Sequence, residues 1–283
     1  GGGKGYAIKG EAAGDAAGYT VLSVGDMNGD GRADMLVGAP GQDASGTDAG
    51  AAYVIWGKTS ASAVQLTNVA AGTGGFKING LSAGDAVGTA LGVLGDQNGD
   101  GKSEILIGVR DDNSAGSNAG AVYVVDGKAT GAAVNLAQIA LGNGGYKISG
   151  VAQDDAGAFV GNAGDLNGDG LDDILIGAPR SDSAYVVYGK ADHLAVDLAD
   201  VATGVGGFQI VAEATGDLDT LVLVGNVDLN HDGIDDLVIG ASGNEEGGTN
   251  AGAVYVVWGG GGNGTVELSL VAQGIGGAKI VGA

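Results

Sequence analysis

The chain has 283 residues, 61 of them glycine, no cysteine and a formal charge of −22. That balance argues against a nucleic-acid partner, because phosphate contacts need Lys and Arg. No apolar run is long enough to span a membrane, and the glycines lack the strict third-position period of collagen.

From the N-terminus, the aromatic-led segment Tyr6-Ala-Ile-Lys predicts a strand, and Tyr19-Thr-Val-Leu-Ser-Val predicts a second, rich in small residues. A nine-residue acidic loop, Asp26 to Asp34, runs straight into an apolar strand at Met35-Leu-Val-Gly. Beyond a polar loop, Gln42 to Gly50, lies a fourth strand, Ala52-Tyr-Val-Ile-Trp-Gly. A connector containing Val64-Gln-Leu then ends in a Gly-Gly turn. Its helical periodicity is weak, and a single helical turn fits around Thr67 to Ala70.

The same order recurs three times. Phe76-Lys-Ile-Asn, Tyr146-Lys-Ile-Ser and Phe208-Gln-Ile-Val open the later units. Their acidic loops run from Asp96 to Glu104, Asp165 to Asp173 and Asp228 to Asp236, so successive loops start 70, 69 and 63 residues apart. The third unit is shorter because Gly177 to Tyr185 lacks most of the polar insertion found in the first two. Units of this length with four strands predict an all-β fold, a β-propeller of four blades with four antiparallel strands each. The blades span roughly 5–75, 76–145, 146–207 and 208–283, a single repeat domain or part of a longer array. A fifth strand slot of the aromatic type, Ala278-Lys-Ile-Val-Gly, leaves one edge strand over. An exposed edge can template pairing with another chain, so self-assembly or a protein partner is expected there.

Each acidic loop reads Asp-x-Asn-x-Asp-Gly-x-x-Asp/Glu. Oxygen donors at alternate positions, with a glycine after the third, suit a hard cation taking six to eight oxygens at about 2.3–2.6 Å. Three carboxylates crowded into each turn repel one another without a cation, so four copies point to about four Ca²⁺ ions. Mg²⁺ prefers fewer protein ligands, and zinc prefers Cys or clustered His. An EF-hand is rejected: position twelve is not glutamate but Val37, Ile107, Ile176 or Ile239, inside a predicted strand.

The acidic loop followed by Leu36-Val-Gly-Ala-Pro40 or Leu175-Ile-Gly-Ala-Pro179 resembles the FG-GAP repeat of integrin alpha subunits and of many bacterial surface proteins. The likeness covers nearly the whole chain, so each expected blade is an FG-GAP blade with its own calcium loop. It departs at Gly108-Val-Arg110 and Gly240-Ala-Ser242, and the Phe-Gly element is reduced to Ala17-Gly18, Val87-Gly88 and Ala156-Gly157 and lost at Leu218-Asp219. Integrin propellers have seven blades, so ring closure and the integrin ligand surface do not carry over.

This resemblance, with the oxygen spacing, implies ligands at positions one, three, five and nine and the carbonyl at seven. They are Asp26, Asn28, Asp30, Arg32 and Asp34 in the first loop, and Asp96, Asn98, Asp100, Lys102 and Glu104 in the second. The third uses Asp165, Asn167, Asp169, Leu171 and Asp173, and the fourth Asp228, Asn230, Asp232, Ile234 and Asp236. Gly31, Gly101, Gly170 and Gly233 would make the sharp turn, and the ninth residue could bind bidentately.

No catalytic constellation is expected: His193 and His231 have no Ser or Cys nucleophile pattern beside them. Trp56, Asp126, Tyr188 and Trp258 fall at equivalent strand ends, for packing between blades or for stacking on glycans. Tyr53, Tyr123, Tyr185 and Tyr255 recur as packing residues, and the polar loops Gln42 to Gly50, Asp111 to Gly120 and Asn244 to Gly252 form the expected contact surface. Asn263-Gly-Thr265 is a lone, fortuitous glycosylation sequon.

The expected role is a calcium-stabilised, secreted or cell-surface structural and adhesion module, extending to a filament or surface-layer subunit. A lectin-like propeller and an accessory domain of a secreted enzyme are the alternatives. Simple loops of this kind need extracellular calcium levels, and calcium would take the place of disulfides.

Overall fold

The computed structural model describes residues 5–218, 221–249, 251–260 and 264–282. Asp219, Asn250 and Asn263, which belong to the lost Phe-Gly element, the fourth-unit polar loop and the sequon, lie outside them. The protein is all-β, with multi-stranded, mainly antiparallel sheets and short helical turns of four or five residues.

The first sheet shows the construction. Val21–Ser23, Met35–Ala39, Ala51–Ile55 and Gly75–Asn79 lie side by side in that order, each antiparallel to the next. The same pattern holds for Ala90–Val93, Ile105–Val109, Ala121–Val125 and Gly145–Ser149, and for Phe159–Gly164, Asp173–Ala178, Ser183–Val187 and Gly207–Val211. Leu221–Val227, Asp236–Ala241, Ala253–Val257 and Gly277–Val281 form the last. The strand after each of the first three acidic loops is a short apolar run occluded on both faces by its neighbours, as continuous Val/Ile/Leu composition requires.

The sheets are offset from the sequence units. Gly75–Asn79 opens the second unit, yet it pairs with Ala51–Ile55 of the first. The cause is local. Gly74 and Gly75 hold φ of +78° and +150°, and the Val54 carbonyl stands about where a Cβ on Gly75 would be, so the chain folds straight back on the strand it has just left.

The sheets also differ from four-stranded antiparallel blades. A two-residue parallel strand from the next connector is added to the outer edge of the first three: Val134–Asn135 on Gly75–Asn79, Val196–Asp197 on Gly145–Ser149 and Val266–Glu267 on Gly207–Val211. Two residues are too few for alternation to reveal a strand. Each connector then makes a helical turn, Leu66–Ala70, Leu136–Ile139, Leu198–Ala202 or Leu268–Val271, which buries its first leucine.

The surplus edge strand is the N-terminal one. Among the described residues, Ile8–Lys9 pairs only with Val64–Gln65, in a two-stranded parallel sheet, whereas Gly277–Val281 completes the last sheet.

The chain divides into two compact units. One comprises Gly1–Asp111, Tyr123–Lys147 and His193–Ala195; the other comprises Asp112–Val122, Ile148–Asp192 and Val196–Ala283. In the first, Val37, Tyr53, Ile55, Leu66 and Val69 form a buried cluster. In the second, Leu175, Val186, Phe208, Leu237, Ile239, Tyr255 and Leu268 do so. Tyr53, Tyr123, Tyr185 and Tyr255 are all buried, in keeping with their expected packing role.

Candidate metal centres

Each acidic loop connects the small-residue strand to the apolar strand, so its first and last residues are set by the hairpin. In the first loop the Asp26 carboxylate gathers the chain around itself. Its Oδ1 accepts from the N–H groups of Gly29 and Asp30 at 2.8 and 3.0 Å, and its Oδ2 from Gly31 at 2.7 Å. Asn28 Oδ1 accepts from Asp30 N–H at 2.9 Å, and Asp30 Oδ1 from Arg32 N–H at 3.0 Å. Asp96, Asn98 and Asp100 repeat this pattern, as do Asp165, Asn167 and Asp169. In the fourth loop Asp228 takes the N–H of Asp232 and Gly233, and Asn230 that of Asp232.

The turn glycines have the conformation the spacing predicts: Gly31, Gly101, Gly170 and Gly233 lie at φ between +83° and +90°. Two positions earlier come Gly29, Gly99 and Gly168, also left-handed, but the fourth loop has His231 at φ +62°. His231 is exposed there.

The ninth residue behaves differently from the rest. Asp34, Glu104, Asp173 and Asp236 are 2% exposed or less, whereas the first, third and fifth positions face solvent more openly. Asp34 Oδ2 accepts from Met27 N–H at 3.0 Å and its Oδ1 from Gly57 N–H at 2.8 Å. Asp173 does the same with Leu166 at 3.0 Å and Gly189 at 2.8 Å, and Asp236 with Leu229 at 2.8 Å and Gly259 at 3.0 Å. Both oxygens of these aspartates therefore already serve the backbone, and Oδ2 of Asp34 and of Asp236 accepts a second N–H, from Asn28 at 3.2 Å and from Asn230 at 3.3 Å. The longer Glu104 reaches further into its loop. Its Oε2 accepts from Gln97 N–H at 2.7 Å and its Oε1 from the Asn98 side-chain amide at 2.9 Å. Among the described residues, Asp96, Asp100 and Glu104 form the one trio of such side chains with ligand oxygens within 4.8 Å of one another, a spacing that one Ca²⁺ can bridge.

Burial raises the carboxyl pKa of Asp34, Glu104 and Asp173. Desolvation pushes Glu104 up to about 7, against the opposing Gln97 hydrogen bond and with help from Asp126, Asp96 and Asp100. Asp173 is also pushed up to about 7, mainly by burial. Asp34 is raised for the same first reason. Such groups resist ionising inside the fold, and a bound cation would remove that penalty.

The loops split by their seventh residue. Arg32 Nη1 lies 3.3 Å from Asp30 Oδ2, and Lys102 Nζ lies 3.1 Å from Asp100 Oδ2, so each carries an internal counter-charge. Leu171 and Ile234 supply none.

Other residues of note take simpler roles. His193 Nε2 stands 3.2 Å from Asp126 Oδ1, and its Nδ1 lies 3.2 Å from the Gly142 carbonyl. Gln42, Asp112 and Asn244 anchor the polar loops from buried positions, while most of each loop is exposed. Sequence reasoning missed a recurrent clasp on the buried tyrosines. Tyr53 Oη donates to Glu11 at 2.8 Å, and Lys77 Nζ lies 3.2 Å from that carboxylate and 5.4 Å from the Tyr53 ring centroid. Tyr255, Glu213 and Lys279 repeat it, whereas at Tyr185 the partners are Asp154 and Gln209. The available signal was the residue directly after each strand-opening aromatic: Lys77, Lys147, Gln209, and Lys279 after Ala278.

Comparison with known proteins agrees with the sequence resemblance. The profile of the family described as FG-GAP repeat matches residues 17–55, 156–192 and 222–257, so the chain carries FG-GAP repeats in three places. The second acidic loop lies between the matched stretches, in the unit where Gly-Val-Arg replaces Gly-Ala-Pro. Integrin alpha pat-2 of Caenorhabditis elegans is 28% identical over 243 residues, 80% of this chain and 18% of that protein. Integrin alpha-4 of Xenopus laevis is 30% identical over 169 residues, 59% of this chain and 15% of that protein. Integrin alpha-PS3 of Drosophila melanogaster is 30% identical over 188 residues, 64% and 15% respectively. The chain thus spans less than a fifth of the length of these relatives. No helix among the described residues is long and apolar enough to cross a membrane.

Proposed function

We propose that this chain is a calcium-stabilised extracellular module of β-propeller type that mediates adhesion or protein–protein assembly, and that it is not an enzyme. The observation that carries this reading is the convergence of Asp96, Asp100 and Glu104 on one point, in a loop whose design is repeated three more times. Oxygen-only donors, a left-handed glycine and carboxylates held apart by backbone N–H groups fit a hard cation. In each loop the residues at positions one, three, five and nine, with the seventh carbonyl, would hold Ca²⁺. When bound, the ion supplies charge neutralisation and cross-links the hairpin to the strand beyond it.

Integrin alpha relatives favour an adhesion or protein-interaction role and a cell-surface setting. The test is metal analysis of protein dialysed against about 1 mM Ca²⁺, within the range where extracellular calcium modules bind. About four ions per chain supports the reading, and Asp26→Ala, Asp96→Ala, Asp165→Ala and Asp228→Ala should each remove one. A content below one ion per chain overturns it.

Assembly has a specific observation of its own. Ile78, Ile148 and Ile210 are fully buried beneath the added parallel strands, whereas Ile280 at the same position of the last sheet is 62% exposed. An edge of that kind accepts a further Val-x-Leu strand from another repeat. Light scattering of Ile280→Lys against the parent chain tests this: association that is unaffected by the charge excludes this edge.

A further inference from the structure

The four units allow an internal comparison at the glycine whose N–H donates to the ninth-position carboxylate. In three of them a lysine follows the equivalent glycine: Lys58, Lys128 and Lys190. Lys58 Nζ lies 4.6 Å from the centroid of the Tyr6 ring, and Lys128 Nζ 4.4 Å from that of Phe76, the aromatic residue that opens the same unit. Each ammonium also reaches back to a carbonyl of its own loop, Ser62 or Ala132. A lysine stem and head thus cover an aromatic ring by cation–π attraction and hydrophobic contact.

The fourth unit breaks the pattern. Gly260 stands where the lysine would be, and Phe208 is the corresponding ring. Cavities of about 290 and 390 Å³ at the equivalent places of the first two units are lined by Lys58 and Lys128 and not by the aromatic ring, whereas the fourth unit's pocket of about 260 Å³ is lined by Phe208 itself, with Trp258, Leu237, Val271 and Ile275, and Glu267 at its edge. Its lining is mainly apolar, its one ionisable group is acidic, and its size suits a four-carbon stem with a charged end. Gly260 itself is held at φ +70°, with its N–H bonded to the Leu166 carbonyl at 2.8 Å, so the backbone does not favour a side chain of its own there.

We propose that this pocket binds the side chain of a lysine presented by a protein partner, which takes the place of the lysine missing from the fourth unit. The stem lies against Trp258 and Val271, and the ammonium sits over Phe208 within reach of the Glu267 carboxylate. The proposal rests on the reading of the chain as a protein-interaction module and names the chemistry one of its sites recognises.

The test uses Ca²⁺-loaded protein with ¹⁵N-labelled tryptophan, titrated with Nα-acetyl-lysine methylamide and with the neutral, isosteric norleucine analogue. The Trp258 indole signal should shift saturably in the millimolar range with the lysine ligand. The Trp56 signal should stay still, because the cavity beside it already has the Lys58 ammonium in its lining, which repels a second cation. Norleucine should bind about fivefold more weakly. Phe208→Leu, which keeps apolar bulk and removes the ring, should weaken lysine about fivefold and leave norleucine unchanged. Glu267→Gln, a change at the pocket edge, should weaken lysine about twofold even where Phe208→Leu proves unstable. Equal binding of the two ligands, shifts at both tryptophans alike, or no saturable Trp258 shift anywhere in the millimolar range overturns the proposal. The readout is local to the pocket, so failure here leaves the metal-analysis result standing, and failure there leaves this one.

Discussion

Asp34 Oδ1 accepts the Gly57 N–H at 2.8 Å, joining the end of the first acidic loop to the end of a strand 23 residues further on. Asp173 with Gly189 and Asp236 with Gly259 repeat the contact. The ninth carboxylate is therefore a fastener of the sheet before any cation is considered, whereas Asp26, among the described residues, bonds within its own turn.

These two roles separate by mutation. Asp34→Ala leaves the Gly57 and Met27 N–H groups without their acceptor and should cost about 1–3 kcal/mol in EDTA as well as in Ca²⁺. Asp26→Ala should remove one ion and most of its calcium-dependent stabilisation, and change stability in EDTA by less than about 1 kcal/mol. Urea unfolding of both variants, with and without Ca²⁺, checks the pair.

The seventh residue should grade the four affinities. Arg32 and Lys102 partly neutralise their own loops, so the loops carrying Leu171 and Ile234 should bind Ca²⁺ more tightly. Both ion pairs are solvent-exposed, which keeps the effect to about two- to fivefold. Replacing Arg32 by Leu should tighten the first loop by that factor in Tb³⁺ luminescence titrations of variants retaining one intact loop.

Stability in EDTA should fall as pH rises. Glu104 and Asp173 have folded pKa values of about 7, above the ordinary carboxyl range. Between roughly pH 4 and 7 the folded state therefore holds more protons than the unfolded chain, and the linkage slope is negative. The stabilisation from their neutral forms is complete below the unfolded pKa and is lost as pH climbs through about 7. Calcium binding requires the ionised forms, so it should release protons just below that pH and flatten the profile. Thermal melts from about pH 5.5 to 8, and calorimetric titrations in two buffers of different ionisation enthalpy, read both effects.

His231 holds a left-handed backbone where the other loops have glycine. Replacing it by Gly should stabilise the fourth unit by about 0.5–1 kcal/mol in chemical denaturation, with no change in ion count. A loss of stability would mean that the His231 side chain makes a contact worth more than the strain.

What was legible in the chain follows from what repeats in it. Asp26 to Asp34 and its copies announced themselves because metal ligation and the turn both demand fixed residue types at fixed spacing. The strands Met35–Ala39 and Ala51–Ile55 were equally plain, since burial on both faces leaves an unbroken apolar run. The offset of Gly75–Asn79 onto the preceding sheet was hidden, because strand pairing is a tertiary choice made by the Gly74–Gly75 turn rather than by the strand's own residues. Val64–Gln65 and its equivalents were too short to read as strands. The Lys77–Glu11–Tyr53 clasp joins residues far apart in the chain, and only folding brings them together.

The most direct measurement is differential scanning calorimetry of the chain in millimolar Ca²⁺ and again in excess EDTA. Ions held at about a hundredfold over their dissociation constants each add about 2.7 kcal/mol, so the melting temperature should drop by at least about 10 °C in EDTA. It should return with Ca²⁺ and not with equimolar Mg²⁺. A melting temperature that is the same in both buffers would contradict the account.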